Sequence, residues 1–425
     1  MSTTAIPQRP ELPVQQPART SPFGGAAPSL RTAVAYLVAA VVWVTVGEAL
    51  PGGRWFAVHL FTLGTLTNLI LVFSDHFSRT LTRTPAHGPR WPLPVLNLGI
   101  LLVLVAIPTG RTVPLALGAT VTSGVVIASY VRIRRLRRAS IGARFTWIVR
   151  NYERAHGAFV HGAVLGALLG AGALAGAWRG PARLAHLHLN VLGWAGLTLL
   201  STLVFFGPTI TRCRILPEAD ERAARALRHG ATGLTAAALL LLATGFGGDA
   251  ALPLRLGAAA GLAVYAWAAT VTCLAVLAAV LRAQPSATQA PIAAVCLWFT
   301  AAVWADVAIV ATGAWHLLDA LGVALIVGVL VPTITATLTY LAPLLRGPTA
   351  PVRALITDRL AAGAELRTIV ANTAAVILVV TAALGTTLGV GGWWMVRGAW
   401  LALVAVIVPP LLFAIARPRP ALVES

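Results

Sequence analysis

The sequence predicts an all-α polytopic membrane bundle of about twelve transmembrane helices with both termini cytoplasmic, and three observations carry that prediction. Of 425 residues, 58% are apolar and only 11% charged, too little polar surface for a soluble fold but suited to a chain surrounded by lipid. Apolar stretches close to membrane-crossing length recur along the chain. Arginine supplies all 32 basic residues and collects in alternate loops, as retention of positive charge on the cytoplasmic side requires.

In chain order, residues 1-32 are polar and rich in Pro, Gln, Ser and Thr, and read as a disordered cytoplasmic tail with no signal peptide. Apolar stretches follow near 33-50, 55-77, 92-108, 112-131, 156-178, 185-207, 230-247, 255-281, 288-313, 315-343, 367-389 and 394-416. They define a transmembrane domain over 33-416, and residues 417-425 form a second cytoplasmic tail. The links 132-155, 208-229 and 344-366 are short for a soluble domain and are expected to hold amphipathic or connecting helices. No internal repeat stands out. With the N-terminus inside, this count places 26 arginines in inner segments and leaves Arg54, Arg111, Arg179, Arg183, Arg255 and Arg397 outside.

The formal charge of +19 therefore reflects topology. "RIRRLRR" (132-138) is read as an anchor at lipid headgroups and not as a nucleic-acid patch. The expected setting is the cell membrane, with the bilayer as partner. No Walker loop, dinucleotide fingerprint or nucleophile elbow is present, and Cys213, Cys273 and Cys296 lack metal-ligand or disulfide spacing. Whether the chain is an enzyme stays open.

Histidines carry the functional signal. His59 lies early in the second span, His186 and His188 open the sixth, and His316 opens the tenth, all on the outer side. At a rise of about 1.5 Å per residue, His59 and His188 fall some 5 Å below the outer boundary. His156 and His161 lie in the fifth span toward the cytoplasm. His186 and His188 are two residues apart, so they differ by about 200° around the helix and project from opposite sides. They serve two separate centres, or one ligates while the other fixes packing. Asn190, Asp306, Glu48 and Asp319 are available as oxygen acceptors for a second ring nitrogen. Imidazole suits haem iron and copper, which makes His59, His186, His188, His156 and His161 candidate metal ligands. His316, Asn190 and Asp306 join them as candidate cofactor-binding residues. An ionisable side chain such as Asp306 within a span is a functional hypothesis by default.

Structure accounts for the other signals. Ala158, Gly162, Gly166 and Gly170 form a small-residue stripe that lets another helix approach. Trp55, Trp91, Trp178, Trp315, Trp393 and Trp394 read as an interfacial belt.

The H-x-H pair, the second-span histidine and twelve spans with cytoplasmic termini together resemble subunit I of haem-copper oxidases and the related NnrS family. "VHLFTLGTLTNLILVFSDHF" (58-77), "YERAHGAFVHGAVLGALLGAG" (152-172), "AHLHLNVLGWAGLTLLSTLVFFGPTITRCRI" (185-215) and "ATLTYLAPLLRGPTAPVRA" (336-354) are similar to a membrane region of actinobacterial proteins. Some of those continue into multicopper-oxidase or copper nitrite-reductase domains. The likeness covers most of 35-415. It implies haem, or copper, at His59, His186 and His188, with His316 next and an inner site at His156 or His161. It also implies electron transfer, nitrogen-oxide or copper handling, and an extracytoplasmic cupredoxin or electron-transfer partner. The H-x-H pair belongs to the tenth span in the oxidases but opens the sixth here. The oxidase copper-site signature and the cupredoxin domain are absent from this sequence, so neither oxygen reduction nor copper oxidation follows. Two other readings compete: a proton-coupled small-molecule transporter using Asp306 and the outer histidines, and a membrane anchor or assembly partner for a separate copper oxidase.

Overall fold

The structure, a computed structural model, describes residues 27-84, 93-140, 145-211, 215, 217-282, 288-347 and 349-416. All regular structure among them is helical, and a helix stands at each of the twelve apolar stretches. Helix α1 spans Ala27–Val46. Next, α2 (Gly53–His59) continues through a π-helical segment, π1 (Leu60–Leu66), into α3 (Thr67–Thr82). Then come α4 (Leu93–Ala106), α5 (Thr112–Arg138) and α6 (Thr146–Gly170). The pattern returns with α7 (Arg179–Leu187), π2 (His188–Gly196) and α8 (Leu197–Thr211), followed by α9 (Pro217–Ala243), α10 (Ala251–Leu281) and α11 (Gln289–Thr312). It appears a third time as α12 (Leu318–Val323), π3 (Ala324–Leu330) and α13 (Val331–Arg346), before α14 (Ala350–Ala361), α15 (Ala364–Leu384) and α16 (Gly389–Ile415).

Ten of these helical stretches among the described residues are long and apolar enough to cross a membrane, so the chain is a multi-pass helical membrane protein. Two of the twelve expected spans fall short of that measure for visible reasons. Helix α4 has 14 residues, and the first turns of α6 carry Arg150, Glu153, Arg154 and His156. Two of the expected connecting helices are not separate elements. The link 132-155 is taken up by the end of α5 and the start of α6, and 208-229 by the ends of α8 and α9; only 344-366 holds its own helix, α14. The polar N-terminal segment is helical from Ala27 onward; residues 1-26 and the tail 417-425 lie outside the described residues, as do His87, Trp91 and Cys213.

The helices form three copies of one unit, a repeat that hydropathy alone conceals. In each unit a first helix (α1, α6, α11) packs on the π segment of the second, and the fourth helix (α5, α10, α16) packs on both the third (α4, α9, α15) and the inner half of the second. Helix α5 then meets α6, α10 meets α11, and α16 returns to α1, closing a ring. Each π segment opens at a related hexapeptide: His59-Leu-Phe-Thr-Leu-Gly64, His188-Leu-Asn-Val-Leu-Gly193 and Val323-Ala-Leu-Ile-Val-Gly328. The closing glycine is where the unit's first helix touches. A Cβ there would meet Tyr36 of α1 at 2.5 Å, Ala158 of α6 at 2.6 Å or Trp298 of α11 at 2.6 Å. Gly193→Ala is therefore expected to lower stability by about 1–3 kcal/mol through overpacking, measured as thermal unfolding in detergent; an unchanged midpoint would remove the close approach from the account of the repeat.

Polar pairs hold the first unit together on the arginine-rich side and tie it to the second. Buried Asp75 on α3 accepts from Arg79 at 2.6 Å and from Arg132 on α5 at 2.6 Å, and Arg137 on α5 pairs with Glu153 on α6. Deeper, Asn68 on α3 donates to Asn97 on α4 at 3.1 Å. Such pairing spares polar groups an unsatisfied position in hydrocarbon.

Candidate functional site

His59 ends α2, on the half of its helix away from the arginine-rich loops, and its geometry is set by its own backbone. The Nδ1–H donates to the Trp55 carbonyl one turn back at 2.8 Å. The Trp55 indole stacks on the imidazole with centroids 4.1 Å apart and 22° between planes, so Trp55 serves this ring besides lying near the span boundary. His186 sits one residue before the end of α7, and its Nδ1–H donates across to the Gly162 carbonyl of α6 at 2.7 Å. The small-residue stripe explains why that reach is short. A Cβ on Gly166 would stand 2.6 Å from His186 Cε1, and Gly162 lies against Asn190. The stripe seats the imidazole as well as a helix.

With both Nδ1 atoms donating to carbonyls, both rings carry their lone pair on Nε2. Neither Nε2 has a partner among the described residues, and both histidines line one cavity of about 1160 Å³. The two imidazoles stand close together, with centroids 6.5 Å apart and planes inclined by 19°. The structure thus brings together His59 from the first unit and His186 from the second.

Asn190 lies one turn beyond His186 and donates to the His186 carbonyl at 2.9 Å, supporting the helix where it changes to π geometry. The ring's own Nδ1 partner is the Gly162 carbonyl.

His188 points the other way, as the two-residue spacing requires. Its Nδ1 bonds the Leu184 carbonyl at 2.7 Å and its Nε2 lies 3.0 Å and 3.2 Å from the two oxygens of Asp306 on α11. Both partners are buried. With both nitrogens engaged, His188 offers no lone pair to a metal in this arrangement, and Asp306 orients His188 instead of His59 or His186.

The remaining candidates stand apart. His156 is fully buried, bonded to the Tyr152 carbonyl at 2.7 Å and to Ser129 Oγ at 2.9 Å. His161 is exposed and bonds the Gly157 carbonyl one turn back at 2.7 Å. His316 is exposed in a short 3-10 turn and does not line the cavity. Asp319 pairs with Arg54 at 2.7 Å at the surface, and only the backbone of Glu48 is described. Among the described residues, no group of three or more His, Cys, Asp or Glu side chains could hold one ion, so the five histidines named as metal ligands do not converge. Cys273 and Cys296 are free and buried.

The cavity around the His59–His186 pair is walled mostly by Leu, Val, Ile, Ala and Trp side chains from α1, π1, α7, π2, π3 and α16. Its positive groups are Arg54, Arg179 and Arg183. These are three of the six arginines that the twelve-span reading of the sequence assigns to the outer side. Their placement against the charge rule was a legible signal, which the sequence reading counted but did not connect to the site. Nor could a sequence display the two backbone carbonyls, from Trp55 and Gly162, that fix the ring tautomers. Neither a protein-family model nor a curated protein matches the chain.

Proposed function

We propose that this chain is a twelve-span protein of the cell membrane that holds one haem between His59 and His186 and passes electrons near the face opposite its arginine-rich loops. The observation that carries this reading is the imidazole pair itself: two near-parallel rings with centroids 6.5 Å apart, each tethered through Nδ1 and each with Nε2 left without a protein partner.

The spacing fits a single iron. An imidazole–metal bond of about 2 Å, plus about 1.2 Å from nitrogen to ring centre on each side, puts two axial rings about 6.4 Å apart. The donor count fits too. Two histidines are a poor site for copper or zinc, which want three or four protein donors, but they are a complete axial set when a porphyrin supplies the other four nitrogens. An apolar cavity with Arg179 and Arg183, beside an Arg54 that already pairs with Asp319, matches a flat hydrophobic ring bearing carboxylates, which arginine grips as a bidentate donor. When bound, haem would supply reversible one-electron exchange at its iron. The protein's part is to fix both rings, surround the flat ring with an aliphatic wall and hold the edge carboxylates. An extracytoplasmic electron carrier such as a cupredoxin would exchange electrons across the arginine rim.

The twelve-span topology with both ends on the arginine-rich side is supported by α4 and α6, which complete three four-helix units around the ten clear spans, and by the alternation of arginine along the loops. The test is direct. Full-length protein made with a haem supply and purified in detergent should contain one iron per chain and show the sharp Soret and visible bands of a low-spin, bis-imidazole haem. Well-folded protein that stays colourless and iron-free would sink the proposal.

A further inference from the structure

We propose that the seam between α5, α6 and α8, beneath the cavity, is a water-filled polar inlet that reaches from the arginine-rich face to the cavity floor at Trp194. The proposal goes beyond the haem reading and rests on it only for what the inlet serves.

A series of polar groups lies along this seam. At its foot, Arg154 donates to Asn151 Oδ1 at 2.8 Å. One residue on, the Tyr152 hydroxyl bonds Thr202 Oγ1 at 2.9 Å. Thr202 donates to the Thr198 carbonyl and Thr198 to the Trp194 carbonyl, each at 2.7 Å. Beside them His156 links the Tyr152 carbonyl to Ser129 on α5, and its ring meets the Trp194 indole edge-on, centroids 4.8 Å apart. Trp194 in turn lines the cavity.

The series is incomplete in a specific way. Asn151 Nδ2, Ser201 Oγ and Trp194 Nε1 are buried on this seam and have no hydrogen-bond partner. Thr122 Oγ1, two turns along α5 from Ser129, is also unpaired, but it stands against Gly99 of α4 and so lies off the seam. Asn151, Ser201 and Trp194 are at most 2% exposed. An unsatisfied polar group in a lipid-surrounded interior costs several kcal/mol, and natural interiors meet that cost with ordered water making two to four bonds. The chemistry of the unpaired atoms selects the ligand. Two N–H groups that only donate here and a hydroxyl that donates or accepts suit water, which does both; an anion would leave the hydroxyl acceptor unused, and a metal cation finds too few donors. The inlet gives the cavity access to water and protons from the face opposite its arginine rim.

The test compares two tyrosines of equal intrinsic reactivity. Tyr152 lies on the seam and Tyr265 lies off it, its hydroxyl donating to the Leu192 carbonyl at 2.9 Å, and both have 0% exposure. Radiolytic hydroxyl-radical labelling of the full-length protein, read by mass spectrometry, marks side chains that touch bound water. Tyr152 and His156 should label several-fold faster than Tyr265, with and without haem loaded. The double replacement Asn151→Leu with Ser201→Val should bring Tyr152 down to the Tyr265 rate. Equal rates for the two tyrosines in the unmodified protein overturn the inlet, and so does labelling that survives the double replacement in folded protein. If the double variant does not fold, the wild-type ratio decides. Colourless protein that still labels Tyr152 rejects the haem and keeps the inlet, whereas a haem-loaded protein with a dry seam does the reverse.

Discussion

Replacing His186 by alanine should abolish the low-spin bis-imidazole spectrum, and His59→Ala should do the same. Either change leaves one axial position without its imidazole, and no neighbouring side chain stands in. His188, the nearest histidine along the chain, has Nε2 on Asp306 and faces α11. Removing only an outer-shell partner of a ligand typically costs about 10–100-fold in affinity, so losing a ligand outright should weaken haem retention by about 100-fold or more. His188→Gln supplies the contrast: glutamine keeps a donor for Asp306 and should leave the spectrum as it is. Added imidazole should restore the low-spin bands in the His186→Ala protein by filling the vacated position. Loss of the spectrum in His188→Gln with retention in His186→Ala would assign the axial role to the wrong member of the H-x-H pair.

The second large effect is structural. Asp306→Ala should lower stability by about 3 kcal/mol, because it strands His188 in the protein interior where both ring nitrogens had partners. Breaking a buried charged pair from one side costs about 3–5 kcal/mol in soluble proteins. Neutral polar contacts between membrane helices average only about 0.6 kcal/mol, since the unfolded helices find other partners in the bilayer. A carboxylate facing an imidazole with both oxygens within 3.2 Å falls nearer the first case, at its lower end. Asp306→Asn, which preserves an acceptor, should cost less than half as much. Replacing both partners together, His188→Leu with Asp306→Leu, should recover most of the loss. Thermal unfolding in detergent measures all three, and an Asp306→Ala midpoint equal to the unmodified protein's would mean that the pair does not hold α11 to π2.

Much of the fold was legible because hydropathy and arginine placement both report on the bilayer. Each of the twelve apolar stretches is a helix, with ends displaced by up to 13 residues where polar turns extend it, as in α9, which begins at Pro217 and not near 230. The π segments were not legible: Leu60–Leu66 mixes leucine with Thr62, Gly64 and Thr65, a composition that an ordinary helix turn carries as readily as a π turn. The threefold repeat hid for the same reason. Its copies share a glycine, a hexapeptide frame and a packing mode, but little side-chain identity outside the two His-Leu-x-x-Leu-Gly runs.

At the site, residue chemistry named His59, His186 and His188 together as ligands, and the two-residue spacing sent His188 to the side opposite His186, where the structure has it. They could not choose among acceptors. Asp306 proved to be the partner of His188, while His59 and His186 drew on backbone carbonyls, which every residue carries and no sequence distinguishes. Trp55 looked like an interfacial belt residue because its position is one, and its stacking on His59 depends on the i, i+4 register within α2.

His59, His188 and Val323 stand at the same place in their three units, and all three border the one cavity. The ring thus offers three matching berths around a shared chamber: one furnished with a second imidazole, one closed by a carboxylate and one left as bare hydrocarbon. Such a scaffold lets one berth change its chemistry while the other two keep the chamber standing.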